Sequence, residues 1–203
     1  MRFLPVGRRA LLVEVDDLDT VIGLAAALRR DPPPGVIDMV PAARTLLITY
    51  DGTTSASGLV DIVRDQPLDA APKRGGEPVQ IEVTYDGPDL AAVAEQTGLS
   101  EDDIVERHIA ADYLVAFVGF APGFAYLVGG DPALQVARRD TPRTKVPAGS
   151  VALAGEFTGV YPREAPGGWQ LIGRTDATLW DLGRDPPALL PPGTPVRFVG
   201  ARP

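Results

Sequence analysis

Residues 113–130 read YLVAFVGFAPGFAYLVGG, an uncharged and largely apolar run. Its length reaches the lower limit for a membrane-spanning helix, about 17–18 residues. Gly119, Pro122, Gly123, Gly129 and Gly130 interrupt it, however. Glycine adopts positive φ without steric cost and proline fixes φ near about −65°. The run therefore reads as buried strands joined by a tight turn. The same punctuation continues through residues 141–175, TPRTKVPAGSVALAGEFTGVYPREAPGGWQLIGRT. Many short apolar runs between enforced turns predict a compact β-structure with shaped loops.

Upstream the pattern changes. Residues 9–15 form a short apolar strand candidate. Asp16 and Asp17, as N-caps, lead into a helix with Leu18, Val21, Ile22, Ala25 and Leu28 on one face. The run DPPPG at 31–35 stops that helix. Strands are predicted over 36–40 and 44–50, then a helix carrying Leu59, Val60, Ile62 and Val63. This β-α-β-β-α order predicts a small α+β domain over residues 1–76, with 70–78 as its linker. A second domain over 77–203 opens with a strand in which Val79, Ile81, Val83 and Tyr85 alternate with Gln80, Glu82 and Thr84. Pro88 and Gly98 bracket a helix over 89–97, and Ser100 with Asp103 forms a capping box for the next. From Asp112 the reading is strands and turns, closing with a strand over 194–199. The fold class is thus α+β, a small N-terminal domain followed by a β-rich one.

Composition narrows the chemistry. The chain has 203 residues, no cysteine and a single histidine, which excludes disulfides, thiolate chemistry and a multi-histidine metal centre, so no metal site is expected. A formal net charge of −8 opposes general affinity for nucleic acid or anionic membrane. Residues 93–105 mimic a helix-turn-helix, but Glu101, Asp102, Asp103 and Glu106 would face phosphates, so they read as two packed helices. The N-terminus does not read as a signal peptide, and the chain reads as cytoplasmic. No G-x-x-x-x-G-K-[ST] and no G-x-S-x-G occurs, which argues against a self-sufficient ATPase or serine hydrolase.

Several constellations carry candidate chemistry. Arg138, Arg139, Arg143 and Lys145 form a cationic run, with Arg143 constrained by Pro142 and Pro147. A preset guanidinium grips a carboxylate or phosphate bidentately at little entropic cost, so Arg143 and Lys145 are the preferred anion binders. A solvated loop with surface ion pairs is the bland alternative. His108 is the one imidazole available for acid–base work. Its role is open between proton transfer, substrate orientation and structure. Phe120, Phe124 and Tyr126 wall a pocket or fill a core; the expectation is Phe120 buried, with Phe124 or Tyr126 near a rim. Trp169 is a candidate partner-interface anchor, and Ser150, Gln170, Arg174 and Thr175 add possible polar contacts.

Taken in order, these residues are similar to the KipI family, the B-type component of bacterial 5-oxoprolinase, also labelled allophanate hydrolase subunit 1. The resemblance rests on Gly87-Pro88-Asp89-Leu90, His108, Gly119-Phe120, Pro122-Gly123-Phe124, Tyr126-Leu127 and Pro142-Arg143. It continues through residues 146–151 (VPAGSV), Tyr161-Pro162, residues 166–169 (PGGW) and residues 172–175 (IGRT). One departure is Ala137-Arg138, where the family usually has Pro-Arg. The resemblance implies a cyclophilin-like β-barrel over 77–203. It also implies a non-autonomous hydrolase subunit that opens 5-oxoproline with ATP, together with C-type and A-type partner subunits. His108, Arg143 and Lys145 are then the expected catalytic residues. Phe124, Tyr126, Arg138, Ser150, Gln170 and Arg174 are expected to meet the small-molecule substrate or an anion. The alternatives are a urea carboxylase or allophanate-linked subunit and a regulatory module that inhibits a sensor histidine kinase. Prolyl isomerisation has only fold analogy behind it.

Overall fold

A computed structural model describes residues 1–66 and 76–201, with the side chain of Ala201 left aside. Two units separate, Met1–Lys73 and Arg74–Pro203. The linker expected over 70–78 lies largely outside the described residues.

In the first unit, strands β1 (Arg2–Val6), β2 (Ala10–Glu14), β3 (Val36–Pro41) and β4 (Thr45–Tyr50) form an antiparallel sheet in the order β1-β2-β4-β3. Helices α1 (Leu18–Arg30) and α2 (Ala56–Arg64) complete it. Asp17 is the cap of α1, its carboxylate accepting from the Thr20 N–H at 2.7 Å. Ser55 caps α2 by accepting from Gly58 N–H. Leu11, Val13, Leu46 and Ile48 share one sheet face with the buried Val21, Leu24 and Leu28 of α1 and Leu59 and Val63 of α2. Each fully buried aliphatic side chain contributes about 1.5–3 kcal/mol. Strand β1 is an addition to the sequence reading. Pro5 confines it to a sheet edge, where a missing N–H is tolerated, and Gly7 at φ 60° turns it into β2.

The second unit is the expected barrel. Strands β5 (Val79–Thr84), β6 (Tyr113–Val118), β7 (Ala125–Val128), β9 (Ser150–Ala154), β10 (Phe157–Val160), β12 (Gln170–Arg174) and β13 (Pro195–Ala201) close in the order β10-β7-β6-β13-β5-β12-β9. Strands β8 (Arg143–Val146) and β11 (Ala165–Gly167) form a separate antiparallel ribbon. The barrel closes through a parallel pairing of β5 with β13, from Val196↔Val79 to Ala201↔Thr84. Its remaining pairings are antiparallel. Closure satisfies the backbone groups that an open edge would expose.

Helices α3 (Leu90–Thr97) and α4 (Glu101–Ala110) follow β5. Gly98, at φ 73°, ends α3, and Ser100 with Asp103 forms the capping box that starts α4. Leu90, Val93, Ile104 and Val105 join the barrel's core with Ile81, Val115, Ile172 and Phe198. The helix pair is therefore packed onto the barrel.

Gly87 is a tight junction in this unit. Its N–H donates to the Ile172 carbonyl at 3.2 Å, and a Cβ there would overlap the Leu171 carbonyl oxygen and the Ile172 carbonyl carbon. Both are backbone atoms of β12 and cannot rotate away. Gly87→Ala is expected to destabilise the chain by about 2–4 kcal/mol, read from urea unfolding midpoints, because either β12 or the α3 entry must shift.

Candidate functional site

The Gly87 junction delivers Asp89 to the centre of a charged cluster. Asp89 N–H donates to the Leu171 carbonyl at 3.0 Å, and its carboxylate accepts from the Leu171 N–H at 2.7 Å. Asp89 stands at the N-cap position of α3 but its side chain does not cap that helix. It turns instead to two guanidinium groups. Arg143 donates to both carboxylate oxygens, at 2.9 and 2.8 Å, and Arg139 donates to one at 2.8 Å. Asp89 is only 2% exposed, against 23% and 34% for the Arg143 and Arg139 side chains. Burial pushes the Asp89 carboxyl up. The Arg143 and Leu171 hydrogen bonds and the two guanidinium charges outweigh that, and hold it below the usual carboxylate range.

The ribbon sets this geometry. Gly167 pairs with Arg143, and Arg139 N–H donates to the Gly168 carbonyl at 2.8 Å. Gln170 is buried, its amide donating to the Ala137 carbonyl at 3.0 Å. Gln170 Oε1 and Arg139 Nε are buried without a protein partner.

Beside the charges lies an aromatic cluster. Trp169 packs edge-on against Phe124 and Tyr126, with ring centroids 5.4 and 5.5 Å apart, and the exposed Arg138 guanidinium lies 5.9 Å above its ring. Phe124 also meets Tyr161 at 5.3 Å. Burial raises both the Tyr126 and Tyr161 hydroxyls, and the charge of Arg138 opposes the rise at each. Arg138 therefore stands close to two phenols and an indole. Phe120 covers the edge of Phe124 at 5.3 Å with its backbone at φ 65°, a left-handed conformation costing a non-glycine residue roughly 1–2 kcal/mol.

The profile of the family described as carboxyltransferase domain, subdomain C and D, matches residues 1–190. The chain is 38% identical over 203 residues to the B-type component of 5-oxoprolinase from Escherichia coli O157:H7, across 96% of this chain and 93% of that protein. The chain belongs to the carboxyltransferase C/D family. A second such component, from Bacillus subtilis (strain 168), is 36% identical across 86% of this chain and 80% of its own length. The crystal structure of TTHA0988 superposes with a TM-score of 0.78 at 39% identity over 96% of this chain. The chain spans only 41% of that longer protein.

For this B-type relative, the structure redistributes the residues singled out in the sequence. Arg143 is preset, as its flanking prolines suggest, but its guanidinium fork is filled by Asp89. Lys145 pairs with Glu164 at 3.1 Å, both well exposed, and Arg174 pairs with Asp86 at 2.8 Å. Arg174 also lines a groove of about 610 Å³ with Gln80, Glu82, Thr84, Thr175 and Asp176. The Ser150 hydroxyl donates to the Pro147 carbonyl at 2.8 Å and closes a turn. Phe120, expected to be buried, is 57% exposed, Phe124 is buried, and of the two rim candidates it is Tyr126 that is half-buried. The left-handed turn flips the Phe120 ring outward, and periodicity cannot register that. Trp169 is buried beneath Arg138 rather than displayed as an anchor.

His108 needs the largest correction. It is 0% exposed, its Nδ1 lies 2.8 Å from the Tyr85 hydroxyl, and its ring packs on Phe198 and Tyr113 at 4.5 and 5.3 Å. Burial pushes its pKa down to about 3, so the imidazole is neutral at physiological pH and enclosed by the barrel core. That position lacks the access a proton carrier for a solvent-borne substrate requires. Asp89 is what the sequence reading missed. The available signal was an acidic residue in a Gly-Pro-Asp turn, in a chain whose cationic run lacked a buried counter-ion.

Two outcomes follow from this geometry. As the only histidine, His108 gives one imidazole signal, and its proton resonances should not move between about pH 5 and 8, where an exposed histidine titrates. Asp89→Asn should destabilise the chain by about 2–4 kcal/mol at neutral pH, because two guanidinium groups lose their counter-charge. The folded pKa of Asp89 lies below the unfolded one. Its contribution is therefore complete above about pH 4 and fades as pH falls through the folded value. Urea unfolding across that acid range should show the loss in the parent and a flatter profile in the variant.

Proposed function

We propose that this chain is the B-type component of a 5-oxoprolinase, which converts 5-oxoproline with ATP and water to glutamate, ADP and phosphate. The observation that carries this reading is the 38% identity spanning nearly all of both this chain and its E. coli relative. It favours this reading over the urea-linked and kinase-regulating alternatives. ATP binding and turnover require A-type and C-type partner subunits. The chemistry needs a lactam oxygen made reactive by phosphoryl transfer, and cations to stabilise charge on the transferred oxygens.

Within this chain, the exposed Arg138 is placed to meet an anionic substrate. Its guanidinium is oriented by Trp169 and flanked by Tyr126 and Tyr161. A cation held on aromatic faces loses little freedom when it grips a carboxylate. Arg143 acts as a positioning residue, since with Asp89 it fixes the ribbon that precedes Trp169. Lys145, exposed and paired only across a solvated ion bridge, is a secondary anion contact. His108 contributes through the core.

The test is reconstitution with the A-type and C-type chains of the same genome, following ADP and glutamate formation that depends on 5-oxoproline. Glutamate formed in step with ADP is the expected result. A folded, assembled mixture without turnover overturns the assignment. Arg138→Ala should raise KM for 5-oxoproline about 10- to 100-fold with a smaller change in kcat, the scale of a hydrogen bond to a charged group. Arg138→Lys should recover part of that loss.

A further inference from the structure

Arg138 is exposed, but the residues on either side of it are held by several parts of the second unit. Val136 pairs with Gly155 in an isolated antiparallel bridge, its carbonyl accepting from the Gly155 N–H at 2.7 Å. Arg139 is fixed through its backbone N–H on the Gly168 carbonyl and through its guanidinium on Asp89. Between Val136 and Arg138 stands Ala137, an exposed residue with no side-chain chemistry of its own. Both of its backbone polar groups are nonetheless taken by side chains. The Ala137 N–H donates to Gln96 Oε1 at 3.2 Å, and the Ala137 carbonyl accepts from Gln170 Nε2 at 3.0 Å.

The two glutamines come from distant elements and have opposite roles. Gln96 lies near the end of α3, where its Nε2 donates to the Ala92 carbonyl at 3.3 Å and so leaves Oε1 as the acceptor for Ala137. Gln170 opens β12 and is 4% exposed, so packing aims its amide nitrogen. An exposed residue can leave its backbone groups to water, whereas binding them with two glutamine side chains sacrifices rotamer freedom in both. The bonds also act where Arg138 begins. The Ala137 carbonyl lies in the planar peptide unit that contains the Arg138 nitrogen, so Gln170 sets the plane from which Arg138 departs. Asp89 and Gln96 stand about two turns apart on α3, about 10 Å along its axis, and hold Arg139 and Ala137 respectively.

We infer that Gln96 and Gln170 clamp the Ala137 backbone and thereby hold the Arg138 guanidinium over Trp169, which makes both of them positioning residues for the anion contact of Arg138. The inference deepens the proposed B-type reading, and its kinetic consequence rests on that reading. The guanidinium lies 5.9 Å above the Trp169 ring, at the end of a long side chain. Fixing the backbone that carries it limits the directions open to that side chain and keeps the cation on the indole face. A cation restricted in this way loses less freedom when it grips a carboxylate. Gln96 serves as an acceptor and Gln170 as a donor, and that polarity distinguishes a clamp from mere space filling.

The test reads the contact between Arg138 and Trp169 directly. The chain has two tryptophans, so Trp180→Phe leaves Trp169 as the sole indole emitter. In that background Arg138→Ala defines the change in emission and acrylamide quenching that follows loss of the guanidinium. Gln96→Met and Gln170→Met keep side-chain length but remove the acceptor and the donor, and each should move the Trp169 signal toward the Arg138→Ala value. Gln96→Glu retains the acceptor oxygen and should stay with the parent. Gln96 is exposed, so its two variants test the clamp even where Gln170→Met disturbs β12. In the complex reconstituted with its A-type and C-type chains, the Met variants should raise KM for 5-oxoproline about 2- to 10-fold with little change in kcat, the scale of one neutral hydrogen bond. A Trp169 signal that Gln96→Met leaves at the parent value overturns the inference, as does one that Gln96→Glu and Gln96→Met move alike or that Arg138→Ala itself does not move. Turnover with the parent KM in both Met variants overturns the positioning role. Failure of the functional reading looks different, since the expected Trp169 signals in a chain whose complex never turns over 5-oxoproline keep the clamp and remove the activity.

Discussion

A single carboxylate, that of Asp89, ties the second unit together. It closes the turn after β5 by accepting from the Leu171 N–H of β12, whose carbonyl accepts from the Asp89 backbone N–H, and it collects Arg139 and Arg143 from the segment around β8. A buried carboxylate is tolerable only when its lone pairs are met and its charge is answered, and here two guanidinium groups and a backbone N–H do both. The β8–β11 ribbon is then anchored from beneath. Trp169 falls into place above Phe124, and Arg138 lies over the indole.

The barrel makes that arrangement possible. Its ends meet through the parallel β5–β13 pairing, so the strand that opens the unit is fixed by the one that closes it. The chain leaving β5 must then cross β12 at Gly87, where no side chain fits, and it arrives at Asp89 in one orientation. Helices α3 and α4 cover the barrel from there and seal His108 among Tyr85, Tyr113 and Phe198. An imidazole so enclosed is worth more as a neutral, hydrogen-bonded packing group than as a titrating one.

Charge is sorted by depth. The cations that answer Asp89 are inward and occupied, while Arg138 and Lys145 stay in contact with solvent. The aromatic rings next to Arg138 continue outward to Phe120.

What the sequence determined by itself is the local and periodic part. The alternation over Val79–Thr84, the Asp17 and Ser100 caps, Gly98 as a helix stop and the interrupted run at 113–130 each depend on neighbours within a few residues, and each dictates its element. The resemblance over about half the chain likewise reached the family. Edge strand β1 escaped because Pro5 and the short run conceal its pairing. Tertiary structure decided everything that requires two distant residues to meet. Asp89 lies 54 residues from Arg143 and 82 from Leu171, so whether Arg143 is free to bind an anion or already bound could not be read along the chain. The burial of His108 and Trp169 and the outward ring of Phe120 are of the same kind. Residue type states what chemistry a side chain can perform, but solvent access and counter-charge, which set whether it does, belong to the closed barrel.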